Sequence, residues 1–178
     1  IKKISIVFSG TRKTDKALSN VLEIISDLKI EVISSLNIND IGEKEMKKIS
    51  KSNLILVLGG DGTMIGSIRS LYSLNLPFLG INSGTVGFLT DISISRIHIL
   101  LDILNGDFIE EDRPIFEACI DESKKEIFLN EVVIHSGSVT KMIGLELSIE
   151  NQVIYSLKAD GLIILSLIHI SEPTRLHG

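Results

Sequence analysis

Hydrophobic and polar positions follow two periods in the first half of the chain. The β-branched run ISIVF at 4–8 reads as a strand, and a polar loop follows it. Leu18, Val21, Leu22, Ile25 and Leu28 then recur at helical spacing, with Asp15 as the expected N-cap. Residues 30–34 read as a strand and 43–50 as a short helix. The unbroken apolar run LILVL at 54–58 has the pattern of a strand buried on both faces. Helical spacing returns at Met64, Ile65, Ile68, Leu71 and Leu74, and 77–81 is another strand. Strands alternating with helices predict a parallel sheet with crossover helices.

The pattern changes near residue 95. Residues 95–108 read as one more helix, ended at Gly106. Beyond it, strand-like runs at 115–120 and 126–135 are separated by polar turns, and 145–149 with 153–157 reads as a hairpin. Another strand begins at 160–164. These favour antiparallel structure. The expected organisation is an α/β N-terminal domain with a parallel sheet over residues 1–95, then a β-rich (antiparallel) C-terminal domain over 96–165, incomplete here. An aberrant or disordered tail is expected over 166–178, where Pro173 and the polar end EPTRLHG continue no pattern.

Composition narrows the function classes. Of 178 residues 44% are hydrophobic and 23% charged, enough apolar material for a buried core. A net charge of -5, the absence of a basic stripe, and aromatics at 4% with no Trp argue against a nucleic-acid surface. KEMKKISK is a solvated helix face. No apolar run approaches the ~18 residues of a membrane helix, and IKKISIVFSG lacks the apolar core of a signal peptide. Cys119 is the one cysteine, so no intrachain disulfide and no cysteine zinc site can form. A buried, small apolar role for it and a reducing cytoplasmic setting are expected. His98, His135, His169 and His177 have no metal-ligand spacing, and His98 reads as structural. No Ser-His-Asp or Cys-His signature is present.

The candidate chemistry begins at LGGDGTM, where strand 54–58 runs into Gly59-Gly60-Asp61-Gly62-Thr63. A strand, a glycine-rich turn and a helix can present free amides to phosphate at the carboxyl end of a parallel strand. Neither G-x-x-x-x-G-K-[ST] nor G-x-G-x-x-G fits. A carboxylate inside such a turn repels phosphate, so Asp61 needs its own account. It could bind a divalent cation, take a proton from a hydroxyl nucleophile, or merely cap a helix starting near Thr63. A second glycine-rich stretch, GINSGTVGFLTD at 80–91, could form the opposite wall of one crevice. There Asn82 and Asp91 could bond to ribose or to main chain. Asn130-Glu131 interrupts an apolar strand with adjacent polar residues that would point to opposite faces. Lys158 and Asp160, two apart, would share a face if extended: a surface ion pair or a ligand contact.

Taken together, GGDGTM, GINSGTVGFLTD, LNEVVIH and KADGLII resemble, in order and approximate spacing, the bacterial NAD kinases. GGDG alone is shared with diacylglycerol kinase-like lipid kinases and phosphofructokinases; the combination is far more specific. The resemblance implies an α/β domain followed by a β-rich domain with the site between them. It implies phosphorylation of the 2'-hydroxyl of the adenosine ribose of NAD, usually from ATP with a divalent cation such as Mg2+, to give NADP. It implies that Asp61 accepts the ribose proton and that Gly62 lies against the nucleotide. It further implies that Asn130 and Glu131 bind NAD, that Lys141 lies close to ligand, and that Lys158 stands where Arg is common. Asp160 matches the Asp of the family's Asp-Gly, and Phe88 resembles a residue lining the adenine side. A cytoplasmic homodimer or homotetramer is implied. After DGLII the family continues with Thr-Pro-Thr-Gly-Ser-Thr-Ala-Tyr, whereas here LSLIHISEPTRLHG follows. The chain therefore reads as C-terminally truncated with a foreign-looking tail, leaving unpaired strand edges. The alternatives are a lipid or small-alcohol kinase sharing the GGDG turn, or a non-catalytic nucleotide-binding fragment.

Overall fold

The computed structural model describes residues 1–10, 12–82, 87–121, 124–137 and 141–166. It divides into two compact units, Ile1–Asp112 and Arg113–Gly178. The expected tail lies outside the described residues apart from Ser166.

In the first unit the strands are β1 (Lys3–Phe8), β2 (Glu31–Asn37), β3 (Leu54–Leu58), β4 (Phe78–Asn82) and β5 (Ile92–Ser93). They form one parallel sheet in the order β2-β1-β3-β4-β5. The helices are α1 (Arg12–Asp27), α2 (Glu43–Ile49), α3 (Asp61–Leu71) and α4 (Ile99–Asn105). All five residues of β3 are buried, as its unbroken apolar run predicts. Across the sheet Ile6, Leu56 and Leu79 lie in register, and Val21 and Ile25 of α1 pack in the same core. Burying each such side chain contributes about 1.5–3 kcal/mol.

Three expectations for this unit are corrected. Helix α1 starts at Arg12, so Asp15 sits inside its first turn, where its charge suits the helix dipole, rather than at the N-cap. The inward stripe begins with Thr14 and Ala17, weak signals in a search for apolar residues, while Leu22 is 39% exposed. The expected helix at 95–108 is a 3-10 turn, Ile94–Arg96, followed by the shorter α4, which ends at Gly106 in the left-handed region (φ 106°). Finally, Leu100 and Leu104 of α4 join the core of Ile4 and Leu56, so the unit extends to Asp112 and does not end near residue 95. KEMKKISK behaves as read: α2 buries Ile49 and pairs Lys48 with Glu45 on its outer side. That ammonium holds the Glu45 carboxyl below the usual carboxylate range. His98 precedes α4 as an exposed residue.

The second unit is antiparallel. Its strands are β6 (Phe116–Ile120), β7 (Lys124–Phe128), β8 (Glu131–His135), β9 (Ile143–Ile149), β10 (Gln152–Ala159) and β11 (Gly161–Leu165). Among the described residues they pair as β6-β7, β8-β11 and β9-β10. The single strand expected at 126–135 is two strands. The chain bends at Leu129-Asn130 and changes partner, from β6 for β7 to β11 for β8. Cys119 is exposed, contrary to expectation. Alternation along β6 turns Phe116 and Ala118 inward and places Glu117 and Cys119 outward, beside Lys125. A hydrogen bond from the Lys125 ammonium holds the Glu117 carboxyl below the usual carboxylate range.

The β9–β10 hairpin forms as expected. Its two turn residues, Glu150 and Asn151, have φ of 50° and 65°, and Ile149 pairs with Gln152. Two consecutive positive φ values match the right-handed twist of the strands, but they suit Asn-Gly better than Glu-Asn. The double substitution Glu150→Asn with Asn151→Gly is therefore expected to stabilise the hairpin by about 0.5–1 kcal/mol. Amide hydrogen exchange across β9 and β10 reads this directly, as slower exchange in the variant.

Candidate active site

Sheet winding reverses between β1 and β3: from β1 the chain adds β2 on one side, then crosses back to lay β3 on the other. The carboxyl ends of strands flanking such a reversal leave a crevice in open α/β sheets. Here they are Ser9-Gly10 after β1 and Gly59-Gly60-Asp61 after β3. Ser9 N donates to Leu58 O (3.3 Å) and Gly59 N to Ile81 O (3.0 Å), which ties the three strand ends together. A Cβ at Gly59 would overlap the Thr63 side chain, so glycine there lets strand pass into helix within two residues.

Gly60, extended, is the N-cap of α3 and contributes no side-chain cap. Asp61 is the first helical residue, and Gly62, exposed, is the second. The first amides of a helix have no acceptor within it, so this end carries partial positive charge at the crevice. The Asp61 carboxylate does not cap the helix. It reaches across to the second glycine-rich stretch: Phe88 N donates to Oδ2 (2.8 Å) and Leu89 N to Oδ1 (3.1 Å). Of the readings open for Asp61 in sequence, helix capping is replaced by a bond to a neighbouring turn. The carboxylate thus joins the two glycine-rich stretches beyond the strand ends.

The base of the second stretch is closed by its own polar residues. Asp91 Oδ2 accepts from Gly80 N (2.8 Å), and Asp91 N donates to Gly80 O (2.9 Å). Asn82, 2% exposed, donates from Nδ2 to Thr90 Oγ1 (3.0 Å). Asp91 thus holds main chain and Asn82 a neighbouring side chain. Phe88 presents its amide to Asp61 while its ring stands 86% exposed. Sequence reasoning missed Gly87, Leu89 and Thr90. Their only signal in the sequence was membership of the glycine-rich stretch at 80–91.

The second unit supplies the remaining sequence candidates. Asn130, half-buried, lies in the bend before β8, and its carbonyl accepts from Ser166 N (2.6 Å). Glu131 opens β8 opposite Leu165, whereas His135 pairs with Gly161 at the far end. Asn130-Glu131 and Asp160 therefore lie at opposite ends of the β8–β11 pair, whose four residue steps from Glu131 to His135 span about 14 Å at 3.4 Å per residue. Asp160 occupies the bend between β10 and β11, so it is not extended on one face with Lys158. Lys158 pairs with Gly144, and Ala159 with Ile143, which places Lys141, Lys158 and Asp160 at the open end of the β9–β10 hairpin. Gly144, Leu145, Glu146, Ser156, Leu157 and Lys158 line a shallow groove there. Lys141, Lys158 and Asp160 are all exposed. Among the described residues no three His, Cys, Asp or Glu side chains gather as a metal centre. No helix among them is long and apolar enough to cross a membrane.

This geometry defines an open parallel α/β protein with a glycine-rich strand–helix turn at its winding reversal. The ATP-NAD kinase N-terminal domain family matches residues 9–108. The chain belongs to the NAD kinase family. It is 41% identical over 117 residues to an NAD kinase of Marinobacter nauticus, covering 63% of this chain and 40% of that protein. An NAD kinase from Archaeoglobus fulgidus in complex with ATP superposes with a TM-score of 0.70 at 22% identity, covering 92% of this chain and 60% of the other. Yeast NADH kinase complexed with NADH gives 0.72 at 16% identity, covering 93% and 57%. At those identities the two structures establish the fold, with its parallel sheet followed by antiparallel strands. The chain spans about half the length of the curated relatives it matches.

Proposed function

We propose that the protein transfers the γ-phosphoryl group of ATP to the 2'-hydroxyl of the adenosine ribose of NAD, giving NADP. The observation that carries this reading is Asp61: a carboxylate at the first helical residue of α3, in the crevice of the winding reversal, with both oxygens oriented by main-chain amides. Each carboxylate oxygen keeps a second lone pair after accepting one amide, so Asp61 can still accept from a hydroxyl. The 2'-hydroxyl proton passes to Asp61. The oxygen's electron pair forms the new bond to the γ-phosphorus, and the bond from that phosphorus to the bridging oxygen breaks, releasing ADP. The amides of Asp61 and Gly62 at the start of α3 hold phosphate oxygens and stabilise their charge.

Phe88, with its amide on Asp61 and its ring exposed, offers a face for adenine. By family resemblance Asn130 and Glu131 bind NAD through polar contacts, and Lys141, Lys158 and Asp160 are further nucleotide-binding positions. These assignments rest on family resemblance and on the polar character of each position. A divalent cation such as Mg2+, held on the phosphates of ATP, would supply charge stabilisation to the transferring phosphoryl group. A cytoplasmic homo-oligomer is the setting proposed. A substrate panel with γ-labelled ATP tests the reading against the lipid kinase alternative. Label is expected on NAD and not on diacylglycerol; the reverse result would overturn the assignment.

A further inference from the structure

Between the two glycine-rich stretches one contact leaves no room for a side chain. Gly87 lies against Asp61, and a Cβ built at Gly87 would overlap Oδ1, Cγ and Oδ2 of that carboxylate. The next two residues supply the amides that the same carboxylate accepts. At either side of residues 80–91 the strand partners are fixed, by Gly80 with Asp91 and by Asn82 with Thr90. The turn at Gly87 cannot retreat from Asp61 without disturbing these bonds or the two amide contacts.

We infer that Gly87, together with the Phe88 and Leu89 amides, is a positioning element that sets the direction of the Asp61 carboxylate. Gly87 touches no substrate in this role and acts through Asp61. A side chain at 87 displaces the carboxylate from one side while two amides hold it from the other. The carboxylate must rotate or the turn must lift, and either motion moves the proton acceptor. A misplacement of about 1 Å at a reacting group can cost roughly 100-fold in rate. Ground-state affinity for NAD, made across many other contacts, changes little by comparison. This inference rests on the proposed role of Asp61 as proton acceptor.

The test combines turnover, NAD affinity and amide hydrogen exchange at Phe88 and Leu89. Gly87→Ala is expected to lower kcat about 100-fold, to leave the Kd for NAD within about 3-fold, and to speed exchange of both amides. An amide-to-ester replacement at Leu89 removes one N–H donor without adding an atom, and it carries the test should Gly87→Ala fail to fold. It is expected to lower kcat by roughly 10-fold, equivalent to about 1.4 kcal/mol. Wild-type kcat in Gly87→Ala or in the ester variant would overturn the inference while leaving the role of Asp61 standing. Wild-type turnover by Asp61→Asn would overturn the proton-acceptor reading and this inference together. The two failures are read on different variants.

Discussion

Leu56→Ala is expected to destabilise the first unit by about 2–5 kcal/mol. Leu56 is fully buried at the centre of β3, between Ile6 of β1 and Leu79 of β4 in register. Truncation removes transfer energy and leaves a cavity that a sheet packed on both faces cannot collapse to fill. Against a total stability of about 5–15 kcal/mol for an ordinary domain, the loss is large. The same strand ends in the GGDG turn, so its fraying would loosen the crevice as well. Leu22→Ala is the control: Leu22 is in α1 but 39% exposed, and truncating it should cost less than about 1 kcal/mol. Urea denaturation followed by far-UV circular dichroism measures both. Equal losses would show that the core does not lie where the buried residues place it.

The first unit was largely legible because its signals are local and redundant. LILVL, a short unbroken apolar run ended by glycines, reads as a buried strand, and strands alternating with helical spacing imply crossovers. Misreadings occurred where tertiary packing chose residues that hydrophobicity does not mark, such as Thr14 and Ala17 on the inner face of α1. In the second unit, EIFLNEVVIH has one continuous apolar texture, and nothing local reveals that its halves pair with different strands. Cys119 was misjudged by composition: strand alternation, not residue type, decides which face it occupies. At the site, the glycine-rich stretches and Asp61 were readable as chemistry. Their mutual contact was not, because the bonds from Phe88 and Leu89 to Asp61 span 27 and 28 residues. No spacing rule predicts a main-chain donor at that distance.

Asp61→Asn carries the largest expected effect on function. Losing a general base typically costs about 10²–10⁴ in rate. The substitution also changes the bond to the turn. An Asn side chain has one acceptor oxygen, so its amide group would face either Phe88 N or Leu89 N, donor against donor. Hydrogen bonds to charged groups contribute about 1.5–3 kcal/mol, and part of that is lost. The variant should therefore be nearly inactive and modestly less stable, with faster amide exchange at residues 88 and 89. Rates measured at low temperature, where the variant stays folded, separate the loss of rate from the loss of stability.

The most direct measurement follows NADP formation from NAD and Mg-ATP by the wild-type protein and by Asp61→Asn, with NAD binding measured calorimetrically on the same samples. Wild-type protein is expected to form NADP, and Asp61→Asn is expected to bind NAD while forming NADP at least about 100-fold more slowly. NADP formation by Asp61→Asn at a rate near wild type would contradict the role given to this carboxylate.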